Sequence, residues 1–230
     1  MTADTIQNAS KLNTKTAIDR VYQELRQKII KGEFLPGERL KVESLKPLFD
    51  TGASPIREAL SLLTSNKLVD RIDQRGFRVS AVSEANFDEI FMLRCTLDVL
   101  ALRKSIEFGD TAWEERLVLL NHRLSRTKME EFDVWEPLHK AFHMCLIEAC
   151  QSQILLSYCN NLYDQNIRYR FLAEKNSNYG TRDVHHEHEG IFNATINRKA
   201  DVASELLLKH YTDTGEYLRE KLKKEGYGER

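Results

Sequence analysis

The sequence lacks any long apolar run. Nothing in it approaches the about 18 consecutive apolar residues that mark a transmembrane helix, and the first sixteen residues are polar, without the apolar stretch of a secretory leader. A membrane-spanning or exported protein is therefore not expected. We predict a cytoplasmic protein.

Cysteine is scarce as well. The chain has four cysteines in helix-like segments, with no C-x-x-C pair among them: Cys95, Cys145, Cys150 and Cys159. This usage excludes the disulfide framework of a small secreted domain. We interpret the four as small core residues.

Net charge is almost absent, since 34 Lys and Arg stand against 35 Asp and Glu. Taken over the whole chain, this balance argues against a nucleic-acid-binding protein. The charge is unevenly distributed, however. Residues 1–80 hold 14 basic against 10 acidic side chains, an excess of four, whereas the remainder holds 20 against 25. The modest basic excess in the first third supports DNA binding there without establishing it.

The segment 51–63 has the features of a helix that is presented to DNA. Ser54 is a good N-cap, and Pro55 fits the first helical position, where a missing N–H costs little. Apolar side chains then recur at i, i+3, i+4 and i+7, at Ile56, Ala59, Leu60 and Leu63. One face of this helix therefore packs, and Arg57 lies on another. Arg57 either contacts DNA phosphate or forms a surface ion pair with a nearby carboxylate.

The flanking segments predict a helix-turn-helix followed by a hairpin. A polar tail over 1–15, expected to be mobile, precedes a helix that Thr16 caps and that ends near Gly32. A second, short helix is predicted before position 50, with Ser44 as its N-cap and Pro47 in its first turn. After the 51–63 helix, two strand-like runs enclose a glycine-containing turn. The order is helix, helix, turn, helix and wing.

Two motifs carry a resemblance to a known family. Pro-Ile-Arg-Glu-Ala-Leu at 55–60, followed by Arg-Gly-Phe-Arg-Val at 75–79, resembles the winged-helix domain of GntR-type bacterial transcription regulators. The resemblance covers residues 16–80 and implies a DNA-binding domain. The residues it implies at the DNA are Ser54, Pro55, Arg57, Arg75 and Gly76.

The sequence departs from the usual family pattern at two positions. Where many members carry a base-contacting arginine, this chain has Glu43 and Ala53. The resemblance therefore implies phosphate contacts like those of the family but a different base code.

The rest of the chain reads as helices. Candidate helices cover 83–108, 110–128, 130–150, 152–175, 181–197 and 199–224, with short polar joints between them. Together with the N-terminal winged helix-turn-helix, they predict a mostly α fold whose second domain, 83–225, is an antiparallel all-α bundle of six or seven helices. The joint 80–83 is too short for a free linker, so we expect the two domains to be mechanically coupled.

A charged pair lies on the apolar stripe of the first bundle helix. Arg94 and Asp98 are spaced i, i+4 on the same line as Phe87 and Ala101. One interpretation is an internal ion pair that holds the bundle together. The other is that the forked donors of Arg94 face a cavity and bind a carboxylate ligand. From spacing alone, the ion pair is the favoured interpretation.

Four histidines also fall on apolar stripes, on three different helices. These inward histidines are His139, His143, His188 and His210. One inward histidine is usually a hydrogen-bonded core residue, but four that converge favour a metal site. By contrast, His185 and His186 belong to a solvated tract, and His122 belongs to a polar face.

A second resemblance concerns these histidines. Leu-His-Lys-Ala-Phe-His at 138–143, His188 with Ile191 and Ala194, and Ala203 with His210 resemble the FCD effector domain of the FadR subfamily of GntR regulators. The resemblance implies a divalent metal held by an aspartate and three histidines, and the aspartate position is His139 here. Four neutral ligands favour zinc, or nickel, over magnesium or calcium. The resemblance also implies that Arg94 helps to hold a carboxylate effector.

These features predict a homodimeric transcription regulator, and we expect it to be a repressor. It is predicted to bind a palindromic operator and to sense a small carboxylic acid through a metal. Two alternatives stay open. A metal-dependent hydrolase would use the inward histidines to activate water, with Glu136 as the one carboxylate aligned to serve as a base. In the second alternative, the metal itself is the signal, without an organic effector.

Overall fold

The computed structural model of the chain describes residues 3–73, 75–174 and 183–224. The described residues form nine α-helices and three β-strands. In chain order these are α1 (Ala3–Ile30), β1 (Arg39–Leu40), α2 (Val42–Leu48), α3 (Ala53–Ser65), β2 (Val69–Ile72), β3 (Gly76–Val79), α4 (Glu84–Phe108), α5 (Thr111–Ser125), α6 (Phe132–Ile147), α7 (Gln153–Glu174), α8 (Val184–Ile196) and α9 (Ala200–Lys224).

The described residues divide into two compact units. The first holds the residues up to Val82 together with those of α7 from Ile167 onward, and the second holds Ser83–Asn166 and the described residues from 183 onward. Along the chain, one break between the units falls after Val82. The end of α7 joins the first unit, which the sequence did not indicate.

In the first unit, three helices pack on a small antiparallel sheet of order β1-β3-β2. Alternation along β3 places Phe77 and Val79 in the core and leaves Arg78 exposed. The core is apolar and fully closed around Leu25, Phe49 and Leu60. Strands β2 and β3 form the predicted wing, with Ile72 paired to Gly76 beside the turn.

Strand β1 was not predicted. It has two residues, Arg39 and Leu40, which pair with Arg78 and Phe77 of β3. A pair of residues is too short to show an alternating pattern in sequence, so only the tertiary pairing reveals this strand.

The first helix begins earlier than the sequence indicated. The backbone of α1 starts at Ala3, whereas the sequence analysis placed a tail over 1–15 and a helix cap at Thr16. Residues 3–15 contain neither proline nor glycine. Nothing in their composition therefore interrupts a helix that continues into Val21 and Leu25.

The predicted caps of α2 and α3 require correction. Lys41 caps α2, because the N–H groups of both Ser44 and Leu45 bond to its carbonyl oxygen, so Ser44 and Pro47 lie inside the helix. Gly52 caps α3 in extended conformation, so Ser54 and Pro55 are its second and third residues. Pro55 is tolerated there, since the first four N–H groups of a helix have no intrahelical acceptor.

From Ser83 onward, the six described helices match the six predicted segments, with ends that differ by a few residues. Ser83 and Asp110 are N-caps, since their side chains accept from the N–H groups of Asn86 and Trp113. The Trp113 indole also donates to the Cys145 carbonyl oxygen at 2.6 Å, which joins α5 to α6. All four cysteines are free, and three of them are buried. Among the described helices, none is long and apolar enough to cross a membrane.

A close approach between α4 and α9 provides a stability test. A Cβ added at Gly215 would lie 2.6 Å from the Phe91 ring, whereas one added at Gly190 would meet only Leu206 at 3.6 Å. We expect Gly215→Ala to lower the free energy of unfolding by about 1–3 kcal/mol through overpacking. Gly190→Ala should leave it unchanged or raise it by up to about 1 kcal/mol through helix propensity. Urea unfolding followed by circular dichroism measures both, and equal effects would contradict the packing at Gly215.

Candidate metal centre and DNA-binding surface

The exposed face of α3 and the wing turn carry the residues predicted to contact DNA. Ser54, Arg57, Arg75 and Gly76 are exposed and Pro55 is half-buried, while the opposite face of α3 is buried in the core. In the part of the chain that the structure describes, the Arg57 side chain has no ion pair. Gly76 has φ +91°, a conformation that glycine adopts without strain. Both elements can therefore approach a phosphate backbone.

The positions that depart from the family pattern are occupied by short or paired side chains. Glu43 forms an exposed ion pair with Lys46 at 2.7 Å, and Ala53 is the first residue of α3. Two basic residues that the sequence analysis passed over, Arg39 and Arg78, are cross-strand neighbours and both exposed. The alternation of residues 76–79 was the signal that could have identified Arg78.

The second unit brings four predicted side chains together. They come from α6, α8 and α9, all are 2–3% exposed, and one potential ligand nitrogen from each lies within 4.8 Å of the others. We call this group, consisting of His139, His143, His188 and His210, the histidine cluster. Helical periodicity produces it, since His139 and His143 are one turn apart on α6.

The rings of the histidine cluster face one another closely. The Nε2 atoms of His139 and His143 are 3.0 Å apart. The ring centre of His188 lies 5.0 Å and 4.7 Å from those of His139 and His210. Trp135 stacks on the His139 ring at 4.3 Å and covers it from one side. By contrast, His185, His186 and His122 are exposed, as predicted.

Three of the Nδ1 atoms contact oxygen atoms that lie outside the cluster. His139 Nδ1 lies 2.7 Å from the Tyr163 hydroxyl and His210 Nδ1 lies 2.7 Å from a Glu187 carboxylate oxygen. His143 Nδ1 is 3.4 Å from the Tyr211 hydroxyl. A carboxylate only accepts hydrogen bonds, so we assign the proton of His210 to Nδ1. The Nε2 atom of His210 then carries a lone pair.

The two tyrosines allow the same assignment for His139 and His143. Tyr163 donates its hydroxyl hydrogen to Glu136 at 2.9 Å, and Tyr211 donates its own to Asp98 at 2.8 Å. A hydroxyl has one hydrogen, so each phenol oxygen accepts from the neighbouring imidazole N–H. Both Nε2 atoms at the 3.0 Å contact then carry lone pairs.

The donor set fits a transition metal. Two nitrogen lone pairs at 3.0 Å repel unless a cation, either a proton or a metal ion, lies between them. Tetrahedral zinc with Zn–N bonds of about 2.0–2.1 Å sets ligand nitrogens roughly 3.3 Å apart. The spread of the four candidate nitrogens, up to 4.8 Å, is close to that requirement. The four histidines could therefore hold a metal ion once their rings draw closer together.

Arg94 is buried next to the histidine cluster and is surrounded by polar side chains. Its Nη1 donates to Asn166 at 2.8 Å, its Nη2 donates to Tyr211 at 3.2 Å, and its Nε is 3.3 Å from an Asp98 oxygen. The ion pair predicted between Arg94 and Asp98 is therefore present. The neighbouring aromatic ring of Tyr163 is 4.7 Å from the guanidinium carbon.

The protonation states of Asp98 and Tyr211 beside Arg94 follow from their burial. Burial raises the pKa of the Asp98 carboxyl above its ordinary value, although the Arg94 charge and the Tyr211 hydroxyl oppose the rise. Burial also raises the pKa of the Tyr211 phenol well above its usual value. Tyr211 therefore stays protonated and available as a donor to Asp98.

A small cavity reaches the histidine cluster at His188. It has a volume of about 100 Å³ and runs between the end of α5, the start of α6 and the start of α8. Its lining includes Met129, Trp135, Val184 and two histidines, the exposed His185 and the buried His188. A small molecule that enters here meets a predominantly apolar wall and one member of the cluster.

Sequence analysis identified the histidines but not their partners. It missed the tyrosines 163 and 211, Asn166, and Glu187, and it treated Glu136 as a possible general base. The structure instead has Glu136 accepting a hydrogen bond from Tyr163. The spacing of Cys159, Tyr163 and Asn166 on one stripe of α7 was a signal that could have indicated an inward polar group there.

Comparison with known proteins matches both units to described families. The profile "Bacterial regulatory proteins, gntR family" matches residues 17–79, and the profile "FCD domain" matches residues 89–213. The chain is 37% identical over 205 residues to the uncharacterised HTH-type transcriptional regulator BphR of Paraburkholderia xenovorans, covering 86% of this chain and 83% of that one. It is 32% identical over 205 residues to the HTH-type transcriptional repressor GlaR of Escherichia coli, covering 86% and 93%.

Solved structures share the fold. The Escherichia coli protein McbR/YncC superposes with a TM-score of 0.77 at 19% identity, over 89% of this chain and 98% of that one. A GntR-type transcriptional regulator from Rhodococcus sp. RHA1 superposes with a TM-score of 0.70 at 20% identity, over 88% and 97%. At such identities the likeness establishes the fold alone.

Proposed function

Since the chain belongs to the GntR family of bacterial regulatory proteins and carries an FCD domain, we propose that it is a repressor whose operator affinity is set by a small carboxylic acid bound at a metal in the histidine cluster. The family resemblances drawn from sequence are confirmed, and the protein is a transcriptional regulator. Its curated relatives are named as transcriptional regulators and repressors, which sets the hydrolase alternative aside.

The observation that carries the metal proposal is the short contact between two imidazole nitrogens. His139 and His143 face each other through Nε2 atoms 3.0 Å apart, and we assign the protons of both rings to Nδ1, next to the tyrosine hydroxyls. A divalent ion relieves that repulsion. Neutral nitrogen ligands suit zinc or nickel, and such an ion, when bound, supplies positive charge for a carboxylate to neutralise.

Arg94 is the residue that we propose holds the effector carboxylate. Its Nη1 now donates to the neutral amide oxygen of Asn166. A carboxylate is a stronger acceptor for Arg94 than an amide, because its full negative charge attracts the guanidinium cation and its two oxygens can accept from the guanidinium in bidentate fashion. An effector carboxylate would therefore displace Asn166 from Arg94, while the Arg94–Asp98 pair persists.

Displacement of Asn166 provides a route toward the DNA-binding unit. Asn166 is the last residue of α7 that belongs to the second unit, and the residues from Ile167 onward belong to the first. Within the first unit, Arg168 donates to the carbonyl oxygen of Ser80, which follows wing strand β3, at 2.8 Å. A change at Asn166 thus acts on a helix whose next turn contacts the base of the wing.

The proposed partner is duplex DNA with two half-sites. GntR regulators bind operator DNA and are typically dimers, and a homodimer of this chain would read a palindromic operator with half-sites about 34–36 Å, or a multiple of that distance, apart. Ser54, Arg57, Arg75 and Gly76 would contact phosphates, with Pro55 placing the start of α3 against the backbone. Base contacts would come from other side chains, since Glu43 and Ala53 replace the usual arginines.

The DNA contact of Arg57 is tested by substitution. Arg57→Ala should weaken binding to all DNA sequences alike and reduce the slope of log affinity against log salt by about 1, because one phosphate contact is lost. Fluorescence anisotropy over a salt series measures both quantities. Arg103→Ala on α4, in the other unit, serves as the control and should change neither. An Arg57 variant with full affinity and an unchanged slope would remove this residue from the interface.

The metal site is tested by two histidines of the same helix. Purified protein should carry about one zinc or nickel per chain. His188→Ala should lose that metal and the thermal stability it confers, which is about 2.7 kcal/mol when the free metal is at a hundred times its Kd. His185→Ala, only three residues away but exposed, should lose neither. Elemental analysis and thermal unfolding decide this, and matching losses in the two variants would show that the cluster is not the metal site.

The effector proposal is tested with Arg94→Lys. An alanine would leave Asp98 buried without its cation, whereas lysine keeps the charge and loses the fork that binds a carboxylate in bidentate fashion. In an operator-binding assay with a panel of small carboxylic acids, the native protein should change its affinity about 5–150-fold with the cognate acid. With zinc added in excess, the Arg94→Lys variant should keep its effector-free DNA affinity but lose this response, and Arg103→Lys should retain it.

Two outcomes would contradict the effector proposal in different ways. A normal response by the Arg94→Lys variant would make Arg94 only the structural partner of Asp98. A native protein whose DNA affinity changes on addition or removal of metal, but with no carboxylic acid in the panel, would favour the alternative in which the metal itself is the signal.

A further inference from the structure

Two buried tyrosines lie between the histidine cluster and two carboxylates. Tyr163 of α7 and Tyr211 of α9 are 2% and 6% exposed. Each hydroxyl contacts one imidazole of the cluster and one carboxylate outside it. Each tyrosine hydroxyl contacts the Nδ1 atom of its histidine, whereas the Nε2 atoms face each other inside the cluster. The tyrosines would therefore act on a bound metal through the histidines.

The two chains of hydrogen bonds run in the same direction. His139 donates from Nδ1 to Tyr163, which donates to Glu136. In the second chain, His143 donates from Nδ1 to Tyr211, which donates to Asp98. Because the terminal carboxylates only accept, each chain holds the imidazole proton on Nδ1 and leaves Nε2 as the lone pair directed into the cluster.

Arg94 joins the two tyrosines. Its guanidinium carbon lies 4.7 Å from the centre of the Tyr163 ring and 4.4 Å from that of the Tyr211 ring. The cation thus contacts both rings at once, and it also donates to the Tyr211 hydroxyl. Cation–π contacts of this kind stabilise ring positions when they are desolvated. The positions of both phenols are therefore fixed by a single buried arginine.

We propose that Tyr163 and Tyr211 are positioning residues of the metal centre, which select the Nδ1–H tautomer of His139 and His143 and so present both Nε2 atoms to the ion. This inference rests on the proposed metal site. It accounts for a feature that ligand identity alone does not, namely that His139 and His143, as neighbours on α6, both turn the same nitrogen inward. His210 reaches the same state by a direct contact between Nδ1 and Glu187.

The removal of one phenol hydroxyl is the first test. Tyr163→Phe and Tyr211→Phe should each weaken zinc binding by about 10–100-fold, the usual effect of losing an outer partner of a ligating histidine. Competition with a chromogenic zinc chelator measures this in the full-length protein. Tyr158→Phe serves as the matched control, since Tyr158 is exposed on the same helix as Tyr163, and it should bind zinc like the native chain.

A second variant separates positioning from packing. Glu136→Ala leaves Tyr163 in place but removes the acceptor of its hydrogen, so the hydroxyl can donate to His139 Nδ1 and shift the imidazole proton to Nε2. Zinc affinity should therefore fall even though the tyrosine is intact. The double variant Tyr163→Phe with Glu136→Ala should have the same zinc affinity as whichever single variant binds zinc more weakly. The two losses should not add, because Glu136 acts through Tyr163. The single variant Glu136→Ala still tests the inference if Tyr163→Phe fails to fold.

Cobalt provides a readout that a purely structural role would not move. The visible absorption of bound Co²⁺ reports ligand geometry, and we expect band positions or intensities to change in both phenylalanine variants and in Glu136→Ala, but not in Tyr158→Phe. Native affinity together with an unchanged cobalt spectrum in Tyr163→Phe and Tyr211→Phe would overturn the inference while leaving the metal site intact. A native chain that binds neither zinc nor cobalt would overturn both. Additive losses in the double variant would refute the relay through Tyr163.

Discussion

The second unit depends on how four imidazoles are accommodated in a bundle core that excludes water. Each ring needs a partner for both nitrogens, since an unmatched buried polar group costs about 1–3 kcal/mol. On the Nδ1 side, phenols and a carboxylate meet this need for His139, His143 and His210. On the other side, nitrogen faces nitrogen at 3.0 Å. A shared cation would resolve this contact, and the metal that we propose would join α6, α8 and α9 through the histidine cluster.

The same constraint orders the surroundings of the cluster. Arg94 and Asp98 are buried charges that would destabilise a bundle if they were unpaired, since breaking a buried pair costs about 3–5 kcal/mol. They pair with each other, and they also fix Tyr211, which contacts His143. The ion pair and the proposed effector site, which were alternatives at the level of sequence, are thus compatible roles for one arginine. The contact that the proposed effector would replace is the one with the neutral Asn166 amide.

Sequence periodicity predicted the features that depend on a single helix. Buried positions recur with the helical repeat, so the inward orientation of His188 and the pairing of Arg94 with Asp98 followed from spacing. Helix ends and caps were harder to predict from the sequence. Lys41 and Gly52, rather than Ser44 and Ser54, begin the helices, because backbone geometry and core packing set these boundaries and more than one residue nearby could act as a cap. The tyrosine partners depend on which helices become neighbours, and a single sequence without tertiary contacts does not specify that.

X-ray absorption at the zinc edge of the metal-loaded full-length protein tests the central claim most directly. The account predicts four nitrogen scatterers at about 2.0–2.1 Å, with the outer-shell pattern of imidazole rings. An additional oxygen should appear when a carboxylate effector is bound. A first shell that contains sulfur, or one dominated by oxygen without imidazole scattering, would contradict a metal held by the histidine cluster.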